Sequence, residues 1–324
     1  MRRRSGSLGV LLPLGTICLS LAIGILYLGC WPLAERSFET ASLPEVSAEA
    51  APVEETQAVL QADSFLPRLH RPVAVSAHRG DSMRCPENTL PAFEKAISEQ
   101  ADWVELDVQA SADGELIVFH DNSLYRLAGI GRHPGDCSLE ELNALDVGAW
   151  KGQEYQGTRI PLLREVLELC RDRVRVNVEI KETARTLSNP ITLQVVQTIQ
   201  DCGMSEQCMI TAYMHSTLEQ IRLLDPSIKT ALLCETADRV VCDAPEVDAF
   251  SVWAPLVTSE MVEEANLAGK KVIAWPVDTP EELERLAGLG IDIVIAQDPA
   301  GTLELLYGPE GLYPRHPPSM PGSR

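Results

Sequence analysis

Positive charge and paired cysteine spacing are both scarce in this 324-residue chain. Lysine and arginine number 27 against 47 aspartate and glutamate, a formal net charge of -20. Such a surface repels nucleic acid and anionic lipid, which sets the chain against polyanion partners, and any phosphate chemistry must rely on a local cation. The nine cysteines include no C-x-x-C pair. Two of them, Cys18 and Cys30, fall in an N-terminal apolar run, and the remaining seven are an odd number. Both facts argue against a zinc site or a closed disulfide framework. Most of the thiols are expected to fill core space. Cys85 and Cys137, both expected in loops, are the one pair to consider for a disulfide outside the cytosol.

One stretch lacks charge altogether. Leu8 to Trp31, about 24 residues, is long enough at 1.5 Å per residue to span a bilayer, and Arg2, Arg3 and Arg4 before it favour a cytoplasmic N-terminus. A cleaved signal peptide is the competing reading, but Pro32-Leu33-Ala34 puts proline where a small residue is wanted. Leu28-Gly29-Cys30 also loosely resembles a bacterial lipoprotein cleavage box, which would change the attachment and keep the rest of the chain on the same side. The expectation is a single-pass anchor over residues 1–34, with everything after it periplasmic or extracellular. From Glu35 to Gln61 the chain is rich in Pro, Ala, Ser and Glu with little periodicity, a composition that cannot bury enough apolar area to order itself. Residues 35–70 therefore read as an acidic linker, 71–308 as the folded unit and 309–324 as a tail.

The folded unit has the size of one α/β barrel of about 250 residues. Strand and helix alternate along it. The expected strands are Val73 to Ala77, Trp103 to Val108, Leu116 to Phe119, Val174 to Ile180, Cys208 to Ala212, Lys229 to Leu233, Ala249 to Val252, Lys271 to Pro276 and Ile291 to Ala296. The expected helices are Thr89 to Glu99, with Thr89 as N-cap, then Leu162 to Cys170, Ile191 to Cys202, Thr217 to Leu224, Ser259 to Ala268 and Glu281 to Leu289. This βα alternation argues for a parallel TIM (β/α)8 barrel. Nine strand candidates compete for eight places, and Ala249 to Val252 or one of the last two is expected to be irregular. Between Val108 and Leu116 only about seven residues intervene, around an Asp113-Gly114 turn, which suits a hairpin better than a crossover. The glycine-rich stretch from 121 to 160 reads as an insertion over the mouth.

The stretch from Val73 to Asp121 carries His78, Arg79, Glu87, Glu105, Asp107, His120 and Asp121 at the ends of apolar strand-like runs, and buried ionisable groups need partners. Trp103, Glu105 and Asp107 share one strand face while Val104, Leu106 and Val108 share the other. Val174 to Lys181 repeats the pattern, with Asn177, Glu179 and Lys181 opposite Val176, Val178 and Ile180. Glu105, Asp107 and Glu179 then form three inward acids with Lys181 as the only fixed basic partner. Gathered together they would repel one another unless a hard divalent cation took their oxygens; the plain alternative is an ordinary ion pair at each strand end. His78 and His120, each at a strand end near carboxylates, suit a general acid/base pair, with Arg79 and Lys181 as phosphoryl clamps.

The motifs His78-Arg79-Gly80, Pro86-Glu87-Asn88-Thr89, Glu105-x-Asp107, His120-Asp121 and Glu179-Ile180-Lys181 make the chain resemble the glycerophosphodiester phosphodiesterase family over roughly Val73 to Pro299. The resemblance implies a divalent metal, Ca²⁺ or Mg²⁺, on Glu105, Asp107 and Glu179, and catalytic roles for His78 and His120. It also implies a site-shaping loop at Glu87 and Asn88 and an indole wall for the glycerol at Trp275, although core packing suits Trp275 equally. Two departures are Arg126-Leu127-Ala128, where the family has Arg-Thr-Thr, and Ala296-Gln297-Asp298-Pro299, where it has Thr-Asp-x-Pro. Both fall near the rim and bear on substrate choice. The implied activity is hydrolysis of a small-molecule glycerophosphodiester to glycerol 3-phosphate and an alcohol. A second reading is lysophospholipase D-type cleavage of lysophospholipids, with Leu124, Leu127, Ile130 and Trp150 gripping an acyl chain. A third, opposed by the intact acid and histidine set, is an inactive binding barrel.

Overall fold

The computed structural model describes residues 71–183, 186 and 190–313. The anchor and linker expected before residue 71, with Cys18 and Cys30, lie outside the described residues. Among those described, no helix is long and apolar enough to cross a membrane.

The strands are β1 (Ala74–Ala77), β2 (Trp103–Ala110), β3 (Leu116–Val118), β4 (Arg175–Ile180), β5 (Cys208–Ala212), β6 (Lys229–Cys234), β7 (Ala249–Trp253), β8 (Lys271–Trp275) and β9 (Ile293–Ala296). The helices are α1 (Leu90–Ser98), α2 (Tyr125–Ala128), α3 (Leu139–Asn143), α4 (Leu163–Cys170), α5 (Thr192–Asp201), α6 (His215–Leu224), α7 (Ser259–Leu267), α8 (Pro280–Gly288) and α9 (Pro299–Tyr307). Strands β1, β2 and β4 to β9 are all parallel, and β1 pairs with both β2 and β9, so the sheet closes into an eight-stranded (β/α)8 barrel. Residues Ala254–Leu256 after β7 and Ala237–Arg239 after β6 are single 3₁₀ turns, and the latter stands where a crossover helix would come.

The strand outside the ring is β3. It runs antiparallel to β2, with Val108 opposite Val118 and Ala110 opposite Leu116, as the short Asp113-Gly114 connection required. The irregularity expected in β7, β8 or β9 is therefore misplaced, because all three join the parallel ring. Counting the hairpin strand among the eight forced a regular strand out.

Alternation along the strands divides the core in two. Val104, Leu106 and Val108 face outward and pack with Phe93, Val166 and Leu167 of the surrounding helices. Trp103 faces inward and plugs the barrel with Ala74, Met209, Ala231, Ala249, Ile273, Ile293 and Ile295. Because side chains on a strand repeat every two residues, Glu105 and Asp107 continue the Trp103 face towards the C-terminal mouth. Thr89 sits at the N-cap of α1 without a side-chain cap; its hydroxyl donates to the carbonyl of Pro86 at 2.6 Å and stiffens the preceding loop.

Residues 121–160 have a core of their own. Leu124, Leu127, Leu142, Val147 and Ile160 bury against Ile117 and Phe119 of the hairpin, and Ser138 and Glu141 close a capping box on α3. This unit leans on the loop between β1 and α1: Lys151 Nζ donates to the Ser82 carbonyl at 2.6 Å and Tyr155 Oη to that of Arg84 at 3.2 Å. Cys85 and Cys137 are both buried and unpaired, so the disulfide considered for them is not formed. Cys85 Sγ lies 3.3 Å from Tyr155 Oη and Cys137 Sγ donates to the His133 carbonyl.

Gly80 shows why the loop between β1 and α1 needs glycine. Its φ is +77°, and a Cβ there would sit 2.6 Å from the backbone carbon of Ala92 in α1. Gly80→Ala is expected to cost about 1–3 kcal/mol, the range for overpacking a rigid contact. Urea unfolding should show a lower midpoint at unchanged slope; an unaltered midpoint would mean the loop has room that the geometry denies it.

Candidate active site

Four segments meet at the C-terminal mouth, and each delivers its functional groups for a local reason. After β1, Arg79 and Asn88 both adopt left-handed φ values, +57° and +56°, an uncommon conformation for residues other than glycine. They are held there from both sides. Asn88 N–H donates to the Arg79 carbonyl at 2.9 Å, Arg79 N–H donates to Glu105 Oε2 at 2.9 Å, and the Asn88 amide donates to Asp107 Oδ2 at 2.8 Å. The acids on β2 thus fix the loop that carries the histidine and arginine.

Parallel register does the rest. Asp107 on β2 lies directly beside Glu179 on β4, and Glu105 lies beside Asn177. Glu105 is 3 % and Asp107 1 % exposed, and Glu105, Asp107 and Glu179 each bring a carboxylate oxygen within 4.8 Å of the others. Lys181 Nζ sits 2.6 Å from Glu179 Oε1 and 3.4 Å from Asp107 Oδ1. Arg79 Nε lies 3.5 Å from Asp107 Oδ2, so Lys181 is not the trio's only basic neighbour.

These two cations do not balance the site. Burial, then the charges of Asp107 and Glu179, push the Glu105 carboxyl well above its ordinary value. Burial also raises Glu179, partly opposed by Lys181, with Asp107 adding to the rise. For Asp107 burial pushes up too, but Lys181 and Arg79 outweigh it and hold the group below the usual carboxylate range. Arg79 is moreover shared with Glu87, its Nη1 standing 2.7 Å from Glu87 Oε1. Two buried acids and the partly exposed Glu179 therefore face a lysine and part of an arginine, and Glu105 has no side-chain cation within ion-pair distance among the described residues. An all-oxygen cluster with unpaid negative charge fits a hard divalent cation.

His78 follows β1 and His120 follows β3. His78 is partly exposed, but its Nδ1 is sealed from solvent and has no protein partner. Burial first, then Arg79, hold its pKa down to about 4, and the charge of His120 also lowers it, so the two imidazoles sense each other. His120 is placed differently. Its Nδ1 lies 2.8 Å from Asp121 Oδ1, and Asp121 is held down to about 2, burial being overcome by Arg126 and His120.

Arg126 is the residue that sequence reasoning missed. From the short helix α2 its guanidinium reaches Glu87 with two bonds, of 2.6 and 2.8 Å, and Asp121 with two more, of 2.7 and 2.9 Å. It therefore joins the Glu87–Arg79 side of the mouth to the Asp121–His120 side. Its place after the His-Asp motif was visible, but nothing in the spacing shows that the insertion turns back across the mouth. Glu87 and Asn88 hold Arg79, Arg126 and Asp107 and stand outside the acidic trio. Trp275 ends β8 beside Trp253 of β7, half-buried against the interior plug, with its Nε1 sealed and unpartnered. At the rim, Asp298 caps α9 and pairs with Arg84 at 2.7 Å, while Gln297 bonds Asp278.

Residues 78–300 match the model of the glycerophosphoryl diester phosphodiesterase family. The chain belongs to that family. It is 34 % identical to a glycerophosphodiester phosphodiesterase of Caldanaerobacter subterraneus subsp. tengcongensis, covering 72 % of this chain and 97 % of that protein. Its fold is similar to that of a phosphodiesterase from Oleispira antarctica solved in complex with the product sn-glycerol-3-phosphate, with a TM-score of 0.65 and 26 % identity over 74 % of this chain and 97 % of that one. A Silicibacter pomeroyi structure shares the fold at a TM-score of 0.67 and 24 % identity, covering 75 % and 96 %.

Proposed function

We propose that this chain hydrolyses glycerophosphodiesters to sn-glycerol 3-phosphate and an alcohol with a divalent cation, calcium or magnesium, held by Glu105, Asp107 and Glu179. The observation that carries this reading is the acidic trio within 4.8 Å beside two imidazoles in unlike environments. When bound, the cation supplies charge neutralisation for the phosphoryl oxygens. Arg79 and Lys181, already at the trio, clamp the remaining phosphate charge, and the half-buried Trp275 ring walls the glycerol. His78, neutral because its pKa lies near 4, takes the proton from the attacking hydroxyl, either the glycerol 2-hydroxyl or a water. His120, whose Nδ1 is held 2.8 Å from Asp121 Oδ1, is oriented by that contact and gives its proton to the departing alcohol oxygen. Incubation with glycerophosphocholine should yield equimolar sn-glycerol 3-phosphate and choline; phosphocholine as product would refute the assignment.

The lysophospholipid reading loses most of its proposed grip, since Leu124, Leu127 and Ile130 pack into the insertion's own core. Trp150 remains exposed. Turnover of lysophosphatidylcholine at a rate matching glycerophosphocholine would restore that reading. The uncharged run at residues 8–31 behind three arginines supports a single-pass anchor, with the barrel on the periplasmic or extracellular side.

Arg126 is assigned a positioning role through Asp121. Arg126→Ala should lower kcat on glycerophosphocholine about 10- to 100-fold with little change in KM, as expected when an oriented acid is loosened. A glycerophosphodiester of p-nitrophenol, whose leaving group needs no protonation, should recover most of that loss. An equal loss on both substrates would assign Arg126 to scaffolding alone.

A further inference from the structure

The exposed aromatic side chains of the barrel are all on one side of it. Among the described residues these are Tyr125 at 70 %, Trp150 at 47 %, Trp253 at 44 % and Tyr213 at 39 % exposure, joined by the exposed methionines Met83 and Met214. Met83 follows β1, Tyr213 and Met214 follow β5 and Trp253 ends β7, all at C-terminal ends of ring strands, while Tyr125 and Trp150 belong to the 121–160 unit, which meets that mouth where Arg126 bonds Glu87 and Lys151 bonds the Ser82 carbonyl. The exposed leucines 193, 223, 224, 267 and 305 are instead scattered over α5, α6, α7 and α9, with Leu312 beyond α9. Aromatic exposure therefore marks the mouth.

Two of these rings carry a cation. Lys151 Nζ lies 5.3 Å from the centre of the Trp150 ring, and the Arg239 guanidinium lies 3.8 Å from that of Tyr213. An aromatic body with a basic group beside it is the pairing favoured at the headgroup level of a bilayer, where the ring takes the apolar side and the cation reaches phosphate. The arrangement also selects the shape of the partner. In the closed order β1, β2, β4, β5, β6, β7, β8, β9 the stations after β1 and β5 and at the end of β7 lie apart around the opening, a spread that suits a broad surface better than a single groove. The chain's charge of -20 opposes an anionic surface, and the uncharged run of residues 8–31 would bring the barrel to a membrane.

We infer that the mouth of the barrel docks on a zwitterionic lipid surface, with Trp150, Trp253, Tyr125, Tyr213, Met83 and Met214 entering at headgroup depth. Docking adds an orientation to the anchor proposed above and does not depend on the proposed chemistry.

The test reads tryptophan emission from the full chain with Trp31→Phe, which removes the indole at the end of the uncharged run. Phosphatidylcholine vesicles brominated on the upper acyl carbons should quench this emission. Adding Trp150→Phe and Trp253→Phe, conservative changes at exposed positions, should reduce the quenched amplitude at least about two-fold, because the remaining Trp103 and Trp275 lie within the barrel. Absence of quenching in the Trp31→Phe chain would overturn docking. So would equal quenching after the two rim substitutions, or rim indoles that stay as open to acrylamide with vesicles as without. The emission is read without turnover, so failure here would leave hydrolysis standing, and loss of hydrolysis would leave this result standing.

Discussion

Stripping divalent metal from the purified chain is expected to lower hydrolysis of glycerophosphocholine at least about 10³-fold, equivalent to the several kcal/mol that a metal contributes to a charged transition state. The argument rests on charge. Lys181 and Arg79 satisfy Asp107 and one oxygen of Glu179, while Glu105 is left with a backbone N–H and a carboxyl pushed well above its ordinary value by burial and its acidic neighbours. Re-adding calcium or magnesium should restore the rate. Glu105→Gln should fail to recover with either ion, yet its metal-free form should unfold no sooner than the parent, since a buried acid with a raised pKa opposes folding when ionised. That split between activity and stability separates a ligand from a structural carboxylate. Unchanged turnover in excess chelator would remove the metal from the account.

The second large effect belongs to His120. His120→Ala should lower kcat about 10²- to 10⁴-fold, the range for losing a positioned proton donor, and the deficit should shrink for a p-nitrophenol leaving group. His78→Ala should be impaired equally on both substrates, because a base acts before the leaving group matters. The two variants thus distinguish roles that environment alone assigns: His78 has a sealed, unpartnered Nδ1 near a guanidinium, whereas His120 is held by an ionised carboxylate. Equal leaving-group dependence in both would contradict the division.

What could be read from the chain before its structure was chiefly periodicity. Alternation at Trp103 to Val108 and at Val174 to Ile180 places the acids inward and the valines outward, because a strand has only two faces, and the hairpin at Asp113-Gly114 follows from a connection too short to cross over. Where nine strands compete for eight places, periodicity is silent: β3 looks like any other strand, and only its pairing with β2 excludes it from the ring. Arg126 was hidden for a related reason. Its four bonds to Glu87 and Asp121 depend on how an irregular insertion folds back, which no repeat encodes. Leu124 and Leu127, which the second reading offers to an acyl chain, pack instead inside the insertion, because composition alone does not show that a 40-residue insertion holds a core of its own.

Calorimetric titration of calcium and magnesium into the metal-free chain tests the acidic trio most directly. One ion per chain should bind in the parent, and binding should be lost in Glu105→Gln and in Glu179→Gln while both variants remain folded by circular dichroism. Binding that survives in both folded variants, or no binding in the parent at any concentration that supports turnover, would contradict the account.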